Sequence, residues 1–139
     1  EAAPMAKLTA APGSWNWCPS LPATAITDPS VGHDWHAVGS GSANTQAMIA
    51  VCGGSSPADA ADNYAGGGLN DWFLGSEEEM LWLKQNEFVA KYRMSAQEYW
   101  TSTQVSATEA VNVHGENGTL VIAYNLKTRG DVIRPIRSF

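Results

Sequence analysis

The chain reads as an α+β domain, two to three helices followed by a short-stranded antiparallel sheet. Three observations point there. Helix-start and helix-stop residues recur between positions 42 and 92, and the apolar spacing changes to strict alternation after position 96. The segment "GENGT" at 115–119 marks a tight hairpin between two alternating runs. Helices segregated from an antiparallel meander define the class.

The elements follow in order. "EAAPMAKLTAAPGS" lacks an initiator Met, a basic region and an apolar run, so it is not an intact signal peptide. Its Ala and Pro content reads as a linker. We therefore expect residues 1–13 to be a linker or a trimmed start and residues 14–139 to be one domain, a module of a longer protein. Residues 14–41 are studded with Gly and Pro and read as loops with one short strand at 23–26. Ser42 is expected to cap a short helix whose Ala43, Ala47, Met48, Ile49 and Val51 face inward, with Gly53 and Gly54 ending it. A second helix has Ser56 as N-cap, Pro57 at its first position, Asp59 near its positive end and the glycines 66–68 as terminator.

The third helix begins in "DWFLGSEEEMLWL", residues 71–83. Three consecutive glutamates could be an acidic functional site, but local grammar accounts for them. Ser76 and Glu79 have capping-box spacing, and Glu77, Glu78 and Glu79 fill the first turn, where the helix dipole favours negative charge. Leu81, Phe88 and Tyr92 share a face flanked by Trp82 and Val89, so the helix is expected over 77–92. Four strands follow: "EYWTSTQ", "EAVNVHG", "TLVIAYNL" and "DVIRPIRSF", with "KTRGD" as the last connection. The sequon Asn117-Gly118-Thr119 reads as turn chemistry.

Composition narrows the function classes. A chain of 139 residues with 44% hydrophobic content can bury a core of its own, and its six tryptophans must fill that core or form a sticky surface. The net charge of −6 argues against nucleic acid, anionic membranes and sulfated polysaccharides. No apolar run approaches the ~20 residues of a membrane span, so membrane insertion is not expected. Cys18 and Cys52 suit either one disulfide in a secreted protein or two buried thiols; low charge and abundant Gly, Ser, Thr and Asn favour the bond.

Taken in order, "GSGSANTQAMIAVC", "ADNYAGGGLNDWFLGSEEEMLWL", "EYWTSTQ" and "VIRPIRSF" resemble a bacterial and phage family, the C-terminal domain of the collagen-like adhesin Lcl and its relatives. The resemblance covers about residues 37–139. Gly75 stands where the family usually has proline, and Ser42 where it often has lysine. The resemblance implies a C-type-lectin-like fold, distantly similar to formylglycine-generating enzymes and phage receptor-binding variable proteins. It also implies an adhesin or tail-tip binding role, and a homotrimer, as in stalk-borne relatives. Trp72 and Trp100 would be core, and "IRPIRSF" would return to pair near the N-terminus.

Candidate chemistry is sparse. His33, Asp34 and His36 place three metal-ligating groups in one loop, but no fourth is evident beyond His114, and we read them as loop residues beside a packed Trp35. The Glu-Pro-Asn, Gln-Pro-Asp and Trp-Asn-Asp patterns of calcium-dependent sugar binding are missing. No nucleophile elbow, zinc-protease motif or reactive cysteine pair stands out, so neither an enzyme nor a cofactor is expected. Arg129-Gly130-Asp131 spells the integrin tripeptide, which is also ordinary turn composition. A polar, amide-rich surface remains: Gln104, Ser106, Asn112, His114, Glu116, Asn117, Tyr124, Asn125, Lys127 and Arg129. With Val111 and Val113 facing inward, Asn112 and His114 should face the other way.

The expectation is a non-catalytic surface recognition or adhesion module, extracellular or on a virion, binding a glycan or a host-surface protein. Its rival is a structural or oligomerisation cap of a fibre or capsid-surface protein. Tryptophans of "SWNWCP" buried between subunits would favour the cap.

Overall fold

The structure, a computed structural model, describes residues 15–21, 23–87, 97–116 and 119–138. Its elements are β1 (Trp15–Asn16), α1 (Gly41–Cys52), α2 (Pro57–Asp62), β2 (Phe73–Leu74), α3 (Glu77–Glu87), β3 (Tyr99–Gln104), β4 (Glu109–Glu116), β5 (Thr119–Leu126), β6 (Gly130–Asp131) and β7 (Pro135–Ile136), with a 3-10 turn at Gly66–Gly68. Three helices and small antiparallel sheets make it an α+β fold. The main sheet has the order β3-β4-β5, and β1-β6 and β2-β7 form two short ladders.

The capping box forms. Ser76 N–H donates to Glu79 Oε2 at 2.8 Å, and Glu79 N–H donates to Ser76 Oγ at 3.3 Å. The three glutamates also hold the segment before α1. Glu77 Oε2 meets His36 Nδ1 at 2.5 Å, Glu78 Oε2 accepts from Val38 N–H at 3.2 Å, and Glu79 Oε1 accepts from Gly39 N–H at 2.9 Å. The starts of α1 and α3 therefore meet, and Gly41 permits it, because a Cβ there would sit 2.9 Å from Ser76 N and against Glu79 Oε2. Gly75 also makes room: a Cβ there would lie 2.8 Å from Ile136 Cδ1.

Helix α2 begins as expected, with Asp59 N–H donating to Ser56 Oγ at 3.2 Å and Pro57 at its start. Other boundaries differ. Ser40, and not Ser42, is the N-cap of α1, and its hydroxyl donates to Ala37 O at 2.7 Å, tying the cap to the preceding turn. The buried face of α1 is Gly41, Asn44, Thr45, Met48 and Cys52, while Ala43 is exposed. Asn44 and Thr45 tolerate burial because each polar group is met: Asn44 Nδ2 donates to Trp35 O and Ser102 Oγ, and Thr45 Oγ1 bridges Gly41 O and Leu74. Helix α2 ends at Asn63, before the glycines, which form their own turn. Phe88, Val89 and Tyr92 lie outside the described residues.

No strand forms at 23–26, since the Gln104 side chain takes both the N–H and the C=O of Ile26, at 3.0 and 2.6 Å. "DVIRPIRSF" is not one strand. Its start pairs with β1 and Pro135–Ile136 pairs with β2. Proline lacks the N–H that a continuous ladder needs, and residues 133–136 are all buried where a surface strand would alternate.

Cys18 and Cys52 form the disulfide, across a separation of 34 residues. It sits in a core cluster with Trp17, Trp35, Met48, Leu74, Trp100 and Ile133. Trp17 Nε1 donates to Thr101 O at 2.7 Å and Trp100 Nε1 to Trp15 O at 2.6 Å, so both indoles are satisfied while buried. A second cluster joins Phe73, Met80, Tyr99, Val113 and Ile136 beneath α3. Trp72 and Trp100 are buried, as expected. No described helix is long and apolar enough to cross a membrane.

Candidate functional site

Strands β4 and β5 pair residue for residue from Glu109↔Leu126 to Glu116↔Thr119, with the loop at 117–118 between them. Direct partners in an antiparallel ladder share a face. Trp100↔Asn112↔Ala123, Ala110↔Asn125 and His114↔Val121 therefore place Asn112, His114 and Asn125 on one face. Valines 111 and 113 occupy the other, with Tyr124 and Ile122.

The incoming β6 completes a polar cluster on the first face. Asn112 Nδ2 donates to Asp131 Oδ2 at 2.7 Å and to Glu98 Oε2 at 3.4 Å. Arg129 binds Glu98 through Nη2, Asp131 Oδ1 through Nε at 3.2 Å, and Asn125 Oδ1 through Nη1 at 3.0 Å. Burial pushes the Asp131 carboxyl above its usual range, against the opposing effects of the Asn112 amide, Arg129 and the nearby His114. Three buried polar atoms here have no hydrogen-bond partner: Asn112 Oδ1, His114 Nδ1 and Asn125 Nδ2. They comprise an acceptor, a ring nitrogen and a donor.

Four residues singled out from sequence, Asn112, His114, Asn125 and Arg129, thus converge, although Asn112 is fully buried beneath β6 and not at the surface. Of the remaining six, Lys127 is buried and the side chain of Glu116 lies outside what the structure describes. Gln104 clamps Ile26, and Ser106 Oγ accepts from Thr108 and Glu109 N–H in a turn. Tyr124 is exposed on the opposite face, and Asn117 is outside the described residues. Sequence reading missed Glu98 and Asp131 as members of the cluster. A lone acid at each end of the β3-to-β6 region was the available signal.

The integrin reading of Arg129-Gly130-Asp131 fails because Asp131 is only 4% exposed and its carboxylate is taken by Asn112 and Arg129. His33, Asp34 and His36 each have a neighbour: His33 Nε2 meets Asn44 Oδ1 at 2.6 Å, Asp34 Oδ1 accepts His36 N–H, and His36 meets Glu77. Among the described residues no three His, Cys, Asp or Glu side chains are grouped to hold a metal. Nor is there a basic patch of Lys127, Arg129, Arg134 and Arg137. Lys127 and Arg134 are buried, and Arg137 pairs with Asp71 at 2.6 Å.

No family model, curated protein or solved structure matches the chain.

Proposed function

We propose that the chain is a non-catalytic surface recognition module that binds a glycan or a cell-surface protein, as the terminal domain of a longer secreted or virion protein with a C-type-lectin-like fold. One observation carries this reading. His114 and Asn125, both partly exposed, and exposed Arg129 stand together on one sheet face beside buried Asn112 and Asp131, with Arg129 held by Glu98, Asp131 and Asn125. The carboxylates are engaged by Arg129 and Asn112, so the cluster offers fixed hydrogen-bonding geometry and no free nucleophile. The disulfide suits an oxidising compartment. For the rival cap reading, Trp17 is fully buried within the chain and Trp15 is partly buried against the same core, so only Trp15 could be covered further by another subunit.

The test is a glycan array together with whole-cell binding, using the wild type, Asn125→Ala and Arg129→Lys. Losing a charge-assisted hydrogen bond should weaken binding roughly 10-fold or more in variants that circular dichroism shows to be folded. Binding that survives both substitutions removes the cluster as the site. No binding to any glycan or cell removes the recognition role.

A further inference from the structure

Asn112 is fully buried, and only half of its amide is answered. Its Nδ2 faces two carboxylates, Asp131 Oδ2 at 2.7 Å and Glu98 Oε2 at 3.4 Å, which fixes the way the amide points. Its Oδ1 accepts no hydrogen bond, although it is buried. An ionised carboxylate cannot meet that oxygen, because it only accepts; a protonated one can, because it carries an O–H. Asp131 divides its buried carboxylate between two partners, with Oδ2 on Asn112 and Oδ1 on Arg129 Nε at 3.2 Å. Arg129 itself is exposed.

We propose that Asp131 is an acid-operated latch on Arg129, and so regulates the face that the recognition reading, on which this inference rests, takes as the binding site. The proton goes onto Asp131 Oδ1. The new O–H donates to Asn112 Oδ1 while Oδ2 goes on accepting from Asn112 Nδ2, so the acid and the amide close a ring of two hydrogen bonds. Arg129 Nε loses its acceptor, and the guanidinium keeps Glu98 and Asn125. The face then carries one negative charge fewer and offers an N–H to the carboxylate of an acidic glycan. At neutral pH the latch is shut, and the net charge of −6 disfavours such a ligand.

The surroundings favour the proton. Burial disfavours the charged carboxyl, so Asp131 takes its proton above the ordinary 3.8, against the opposing effects of Asn112, Arg129 and His114. Among the described residues, the charged and titratable groups around it are Arg129 from the β5–β6 turn, His114 from β4 and Glu98 from the approach to β3. Strand β1, paired with β6 on its other side, brings Trp15 and Asn16, which do not titrate. Glu98 meets Arg129 through Nη2 and Asp131 meets it through Nε, so the Nε–H reports on Asp131.

The primary measurement is an NMR titration of the ligand-free protein, following the Asp131 carboxyl carbon and the Arg129 Nε–H while the backbone spectrum stays native. The two signals should share one midpoint above pH 3.8. Asp131→Asn should hold the Arg129 signal at its acid limit at every pH, because a neutral amide can answer both halves of Asn112 as the acid does. His114→Gln should move the midpoint and keep the transition. On a glycan array at about pH 7, Asp131→Asn should bind carboxylate-bearing glycans roughly 10-fold better than the wild type. An Arg129 signal that stays still through the Asp131 titration, a midpoint at or below 3.8, a transition lost in His114→Gln, or equal binding of acidic glycans by Asp131→Asn and the wild type would each overturn the proposal. An array blank for both proteins removes the recognition role, and the latch is then decided by the titration, which needs no ligand.

Discussion

Lys127 offers the sharpest test of the packing. Its side chain is fully buried, and its ammonium donates to Thr24 O at 3.0 Å and Gln104 Oε1 at 3.4 Å, 4.6 Å from the Trp17 ring centroid. None of these partners is a carboxylate, so the charge is solvated only by dipoles and a ring face. Burial lowers its pKa from the ordinary 10.5 to about 8. Below pH 8 both the folded and unfolded chains hold the proton, and the folded state bears the full desolvation penalty. Between pH 8 and 10.5 the unfolded chain keeps a proton the native chain has released, so stability from this group rises with pH. The full gap is worth about 3 kcal/mol, of which about 2 kcal/mol should appear between pH 7 and pH 9.5. Urea unfolding of the wild type and Lys127→Met at the two pH values isolates this term, because every other titrating group is common to both. The wild type should gain about 2 kcal/mol on the variant as pH rises. Parallel pH curves would refute the reasoning and mean the amine reaches water.

Three further outcomes follow from single contacts. Ser76→Ala removes the cap of α3 and the Ser76 Oγ bond to Ala37 O, and should cost about 1–2 kcal/mol in thermal unfolding. Replacing Cys18 and Cys52 by serine opens a loop of 34 residues and should lower stability by about 4 kcal/mol in denaturant melts, if chain entropy dominates. Carboxyl NMR titration should place Asp131 above 3.8 and Asp71, hydrogen-bonded by Arg137, below it. For Asp131 the native chain binds its proton first as pH falls, so its contribution favours folding at acid pH and is lost as pH rises through the native value.

Local grammar was legible and distant contact was not. Ser76 with Glu79, and Ser56 with Pro57, announce helix starts because every group involved lies within three residues. The hairpin signal was equally local: β5 has the expected limits and β4 runs one residue further, to Glu116, while Asn117 and Gly118 lie outside the described residues. The division of "DVIRPIRSF" depends on β1 and β2, far away in sequence, and alternation alone could not reveal it. Lys127 had the same fate. Nothing beside it in sequence shows that Trp17 and Thr24 close over it, so it read as surface. Alternation put Asn112 and His114 on one face correctly, but whether that face meets water depends on the β6 return. That return covers Asn112 and brings Asp131 and Arg129 to it.

The hairpin register decides which residues reach the polar cluster. On β5 the odd residues, with Asn125, face the polar cluster, and the even residues, Ile122, Tyr124 and Leu126, form the apolar stripe. A slip of one residue would exchange them, because side chains alternate with a period of two. Asn125 would leave Arg129, and Tyr124 would be driven against Asn112 and Asp131, whose polar groups it could not satisfy. The unbroken pairing from Glu109↔Leu126 to Glu116↔Thr119 fixes that register. The ion pairs of Arg129 to Glu98 and Asp131 add a second constraint, because they hold only while Asn125 faces the cluster.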